Sequence, residues 1–188
     1  MEEIKDDHQR IIKETHEWVM KVVVGCHFCP FALPAVKNNS IRYVVSDALG
    51  PAAALEQMME EVHFLDANEE TETTLIIFPK AFQTFPSYLN LIEVAEELLA
   101  DREYDGVYQI ASFHPNYKFA DSTSDDPSNY TNRSLYPMIH LLREESLEKA
   151  LETFPDPEGI PIRNIAFARE KGLQYMQQLR EMCKIQID

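Results

Sequence analysis

Thr73-Thr74-Leu75-Ile76-Ile77-Phe78, closed by Pro79, is the stretch on which the reading of this chain turns. It has no charge and is rich in β-branched residues. That pattern describes a short strand buried on both faces. Such strands sit in sheets covered by helices, and the flanking sequence supplies them. Upstream, Ile41-Arg42-Tyr43-Val44-Val45-Ser46 reads as a strand, and Gly50-Pro51 opens a helix of roughly 51–64, rich in Ala, Leu, Met and Glu. Downstream, Tyr88, Leu91, Ile92, Ala95, Leu98 and Leu99 recur at helical spacing over 86–102. Val107-Tyr108-Gln109-Ile110-Ala111-Ser112 then reads as a third strand. Strand, helix, strand, helix, strand predicts a small α/β domain, of two or three layers, with a short, largely parallel sheet flanked by helices.

Residues 1–188 read as a single domain, since the length supports one full core. An N-terminal helix is expected over 3–24, within the segment 1–24. Ile4, Ile11, Ile12, Thr15, Trp18, Val19, Val22 and Val23 recur at helical spacing, and Gly25 is expected to end it in a left-handed cap. Residues 113–143 read as a long ordered site loop, whose last part, Tyr136 to Arg143, is expected to start a short helix after Pro137. C-terminal helices are expected at 145–153 and 163–182, within the segment 145–182.

Net charge is −15, from 32 acidic against 17 basic side chains. Phosphate backbones and anionic membranes need clustered Lys and Arg, so no nucleic acid and no membrane partner is expected. No run of eighteen apolar residues is present. Met1-Glu2-Glu3-Ile4-Lys5-Asp6-Asp7 lacks the basic start and apolar core of a secretory signal, which points to the cytoplasm. Three cysteines, Cys26, Cys29 and Cys183, are too few for a disulfide scaffold.

Chemistry-bearing side chains concentrate in the loop that follows the third strand. Ligands in open α/β sheets bind beyond the carboxyl ends of the strands, and this loop starts there. His114 can serve as a general base or a metal ligand. His140 closes the loop on an apolar run. Asp121, Asp125 and Asp126 can orient an imidazole, bind a cation or cap a turn. Arg133 and Arg143 suit a carboxylate or phosphate, or else an internal aspartate that pins the loop. Outside the loop, Cys26-His27-Phe28-Cys29 has dithiol spacing. It follows a helix rather than a strand, and no second half of a zinc site exists. A packed corner at Cys29-Pro30-Phe31 and a reactive Cys29 both fit.

The longer motifs point to kinship. Trp18-Val19 leads into Cys29-Pro30-Phe31-Ala32, and Arg42 to Ser46 reads Arg-Tyr-Val-Val-Ser. Ala111 to Asp121 reads Ala-Ser-Phe-His-Pro-Asn-Tyr-Lys-Phe-Ala-Asp. Asp125-Asp126, Asn129 to Pro137, His140 to Glu144 and Arg163-Asn164 complete the set. On these residues the chain resembles the bacterial "domain of unknown function 1415" family over nearly its whole length. The resemblance implies that Cys29 is the family cysteine, with Cys26 standing where an apolar or amide residue is usual. Leu135 replaces a proline before Tyr136-Pro137, and Leu89 replaces an expected polar residue.

The leading expectation is a small-molecule enzyme, a hydrolase or transferase acting on acyl or amide groups. Cys29 is its nucleophile, His114 or His140 its base, and Asp121 its orienting acid. Asn132, Arg133, Tyr136, Arg143 and Tyr117 hold an anionic or carbonyl-bearing substrate. This reading requires no cofactor. The alternative is an oxidative enzyme with iron on His114, His140 and Asp121, or with haem. A third is a non-catalytic module that binds a metabolite.

Overall fold

The computed structural model describes residues 2–152 and 154–185; the first residue of the expected N-terminal segment and the last of the expected 145–153 helix lie outside the described residues. The chain runs α1 (Glu2–Trp18), a π-helical turn (Val19–Val24), α2 (Ala32–Lys37), β1 (Ile41–Val45), α3 (Pro51–Ala67), β2 (Thr73–Ile77) and α4 (Phe85–Asp101). It continues through β3 (Tyr108–Phe113), a 3₁₀ turn (Pro127–Thr131), β4 (Met138–Arg143), α5 (Glu144–Glu152), α6 (Gly159–Lys171) and α7 (Leu173–Glu181).

The four strands form one sheet in the order β1-β2-β4-β3. Only β1 and β2 pair in parallel; β4 runs antiparallel to both β2 and β3. This corrects two expectations. The sheet is mixed rather than largely parallel, and 138–143 is a strand rather than a short helix. The reason is position. Every residue of β2 is buried, so its second edge needs a partner for its backbone groups. Met138 to Arg143 fills that gap. β1, β2 and β3 nonetheless point the same way, so their carboxyl ends share one edge, as expected.

Helices cover both faces, which gives three layers. On one face α3 and α4 bury Met58, Val62, Leu65, Tyr88, Leu91 and Leu99 against Ile76, Tyr108, Ile139 and Leu141. On the other, Ile11, Trp18, Val19, Val22 and Val23 of α1 and the π turn, with Ala168 of α6 and Met176 of α7, pack on Leu75, Ile77 and Met138. The π turn also corrects the expected helix end. Gly25 is right-handed, with φ −64°, and its N–H bonds Met20 O at 3.0 Å. A Cβ there would lie 2.3 Å from the carbonyl oxygen of Lys21, so glycine is needed for close approach, not for a left-handed cap. The expected helix 163–182 is broken at Gly172, whose φ of +83° ends α6 and starts α7.

Candidate functional site

The segment after β3 is ordered by bonds to its own backbone. Asn129 is fully buried; its Oδ1 accepts from Phe119 N (3.0 Å) and Ser122 Oγ (2.7 Å), and its Nδ2 donates to Thr123 O (2.8 Å). Arg133 donates to Tyr117 O and Ser124 O, each at 2.9 Å. Asn132 donates to Ser112 O at 3.3 Å and accepts from Thr131 Oγ1 at 2.9 Å. Asp126 caps the 3₁₀ turn through Ser128 N, and Arg169 of α6 clasps its carboxylate. That guanidinium, with the Ser128 N–H, holds the Asp126 carboxyl well below the usual range. Arg180 of α7 reaches Pro115 O at 3.0 Å. Tyr117 packs on Phe85 and Phe119.

His114 belongs to this scaffold. Its ring is fully buried between Phe85 and Tyr88, with centroids 5.4 and 5.0 Å away. Nδ1 accepts from Asn116 N at 3.0 Å, so Nε2 carries the proton and donates to Phe82 O at 2.9 Å. Burial pushes its pKa down. Phe82 is held in the left-handed region, at φ 56°, with its carbonyl turned to this ring. Both nitrogens of His114 are thus occupied.

His140 lies on the opposite face. The register places Leu75 and Ala111 beside it, and Tyr43 beyond Leu75, so one row across the sheet reads Tyr43-Leu75-His140-Ala111. Thr73 Oγ1 donates to Leu141 O at 2.5 Å and therefore accepts from His140 Nε2 at 2.6 Å. That fixes the proton on Nε2 and leaves Nδ1 as a lone-pair acceptor with no partner among the described residues. The ring keeps partial solvent contact beside Phe113, yet its surroundings dehydrate it and lower its pKa to about 4. Tyr43, at one end of the row, has a buried hydroxyl with no partner among the described residues, and burial pushes its pKa up to about 12. His16, Ala35, Val36, Asn39, Ile41 and Tyr43 enclose a void of about 20 Å³ there, room for one water. Ile41, Val45, Ala111 and Leu142 on this face are half-buried and Gln109 is exposed, so the helices leave the face half open.

Cys29 packs into the helical layer over this same face. Burial raises its thiol pKa, against the opposing pull of the Phe31 and Ala32 N–H groups on the sulfur. Asn164 of α6 fixes the corner by donating to Phe28 O at 2.7 Å. Cys26 and Cys183 are buried free thiols.

The expected constellation is therefore dispersed. His114 packs on the α4 side of the sheet, whereas His140 and Cys29 belong to the other. Asp121 is exposed and bonds neither imidazole. His114, His140 and Asp121 do not converge, and no group of three or more His, Cys, Asp or Glu side chains that could hold a metal is present among the described residues. Arg143 is drawn to the end of α3, where it donates to Thr71 O, Asn68 O, Leu65 O and Tyr108 Oη. Tyr136 donates to the buried carboxylate of Glu14, which also accepts from Ile185 N at 2.9 Å. At the carboxyl edge, Asp47 and Lys80 form an exposed ion pair at 2.8 Å.

Sequence reasoning missed Tyr43, Thr73 and Glu14. Tyr43 and Thr73 occupy the same alternate positions of their strands as the apolar residues of this face, and Glu14 falls on the stripe of Ile11 and Trp18. A polar residue at an inward position was the available signal in each case.

A family model described as "Protein of unknown function (DUF1415)" matches residues 10–178. No curated protein and no solved structure matches the chain. Among the described residues, no helix is long and apolar enough to cross a membrane.

Proposed function

The chain belongs to the DUF1415 family, and we propose that it binds a small, uncharged polar molecule on the half-open face of its sheet. One observation carries this reading. On a single row, Tyr43 offers an unpartnered hydroxyl and His140 offers an unshared Nδ1. Burial keeps the phenol and the imidazole neutral at pH 7. The donor and the acceptor thus stand on strands two spacings, about 9.6 Å, apart, with Leu75 of β2 between them. A carbonyl or hydroxyl would meet Tyr43, and an amide N–H or hydroxyl would meet His140. A buried hydroxyl left unpaired costs about 1–3 kcal/mol, so the Tyr43 phenol favours a ligand that brings it an acceptor. Anionic ligands are less well served, because the guanidiniums of Arg133 and Arg143 are spent on carbonyl oxygens.

A fragment library of neutral amides, ureas and alcohols, screened by ligand-observed NMR, tests the reading. Hits should lose binding at least tenfold in both Tyr43→Phe and His140→Asn and keep it in Cys29→Ser. Hits indifferent to both Tyr43→Phe and His140→Asn refute it.

A second reading, acyl or amide transfer or hydrolysis at Cys29, is favoured by the two N–H groups drawn to its sulfur. Its cost is set by proton affinity. Moving a proton from a thiol whose pKa burial raises to an imidazole whose pKa burial lowers to about 4 is strongly uphill. Substrate would have to lower that gap on binding. Alkylation with iodoacetamide separates the readings: it should leave ligand binding intact under the first and abolish turnover under the second.

A further inference from the structure

We propose that the cleft between α3 and α4 is a docking surface for a basic amphipathic helix of a partner protein. The cleft has a volume of about 400 Å³ and is lined by Leu55, Glu56, Met59, Glu60, His63, Leu98 and Arg102. Leu55, Met59 and Leu98 are half-buried and form its floor. Val94, one turn before Leu98, is 44% exposed. Leu55, Met59 and His63 recur every four residues, so the α3 wall runs for about 12 Å. A helix laid in such a groove anchors itself with apolar side chains at i, i+3 or i+4.

Charge decides the occupant. Glu56 and Glu60 rise from the α3 wall, and Glu93, Glu96, Glu97 and Asp101 are exposed on α4. None of these six carboxylates makes an ion pair among the described residues. Arg10, Lys21, Lys80, Lys149, Arg163, Arg169 and Lys184 each already hold another acid and do not neutralise these six. Glu93, Glu97 and Asp101 follow one another at four-residue spacing, as do Glu56 and Glu60, and like charges at that spacing repel along a helix. An apolar floor beside Glu56 and Glu60, with four more exposed acids along α4 set against the Arg102 of the lining, matches a helix that carries an apolar stripe flanked by Lys or Arg. A second copy of this chain, at −15, offers the wrong sign.

The test is a ¹⁵N NMR titration of the full chain with a 14-residue Leu/Lys amphipathic peptide. A peptide of identical composition, with its leucines spread around the helix, is the control. Expected are shifts confined to Leu55, Met59, His63, Leu98, Arg102 and their neighbours. Binding of the control should be at least tenfold weaker. Glu56→Lys/Glu60→Lys and, separately, Met59→Lys should each weaken the amphipathic peptide at least tenfold with unchanged melting cooperativity. Equal binding of both peptides, or shifts scattered over the acidic surface, overturns the proposal. So does concentration-dependent self-association through these residues without peptide.

Discussion

His140 makes the stability of this protein dependent on pH in a calculable way. Its folded pKa of about 4 lies below the ordinary 6.5, because the dehydrated ring resists charge. Between those values the unfolded chain binds the proton and the folded chain does not. Stability from this residue is therefore complete above pH 6.5 and is lost as pH falls towards 4. The whole effect is about 3 kcal/mol, and about 2 kcal/mol of it is gone at pH 5. Other groups titrate in the same interval, including His114, whose pKa is also depressed. The difference between wild type and His140→Asn cancels them. Urea unfolding at pH 7.5, 6 and 5 should show the wild-type advantage shrinking by about 2 kcal/mol across the series. Imidazole ¹³C shifts should place the His140 midpoint near 4. A midpoint near 6.5, or a wild-type advantage constant with pH, refutes the dehydrated, neutral ring.

Three further outcomes follow from the geometry. Asn129→Ala removes an amide with three partners in a fully buried site. It should cost about 3 kcal/mol and raise hydrogen exchange at Phe119 and its neighbours, as read by mass spectrometry. Arg143→Lys replaces a fork that spans four acceptors with a single ammonium. A loss of about 2 kcal/mol in urea unfolding is expected, with exchange accelerated at the end of α3. Gly25→Ala drives a methyl group against the Lys21 carbonyl and should destabilise by more than about 2 kcal/mol, whereas Gly50→Ala, where no atom lies within 4 Å, should be nearly neutral in a thermal melt.

The β1–α3–β2–α4–β3 succession was legible because each element carries its own signal. β2 has no charge, and α4 shows a clear stripe bounded by Thr84 and Arg102. β4 was hidden because Met138-Ile139-His140-Leu141-Leu142 is too short for periodicity to separate helix from strand, and Pro137 suits a helix start. What decided it was the empty edge of β2, a tertiary fact. The candidate residues fared unevenly for a related reason. Cys29, His114, Asp121 and His140 were selected by chemistry and sequence proximity, but strand alternation sends His114 and His140 to different faces. Tyr43 joins His140 only once the β1-β2-β4 register is known. The loop's polar residues were conspicuous because their task, satisfying the backbone of a segment outside the sheet, also needs Asn, Asp and Arg.

The middle position of β4 has a consequence for synthesis. The two strands it joins are complete by Phe113, yet their facing edges stay unpaired until Arg143 has been made. For thirty residues of translation the nascent chain carries a slot one strand wide, with amides and carbonyls ready on both sides. Any extended peptide can occupy that slot. A chain halted before Met138 is therefore expected to expose two unpaired strand edges, the arrangement that invites strand capture.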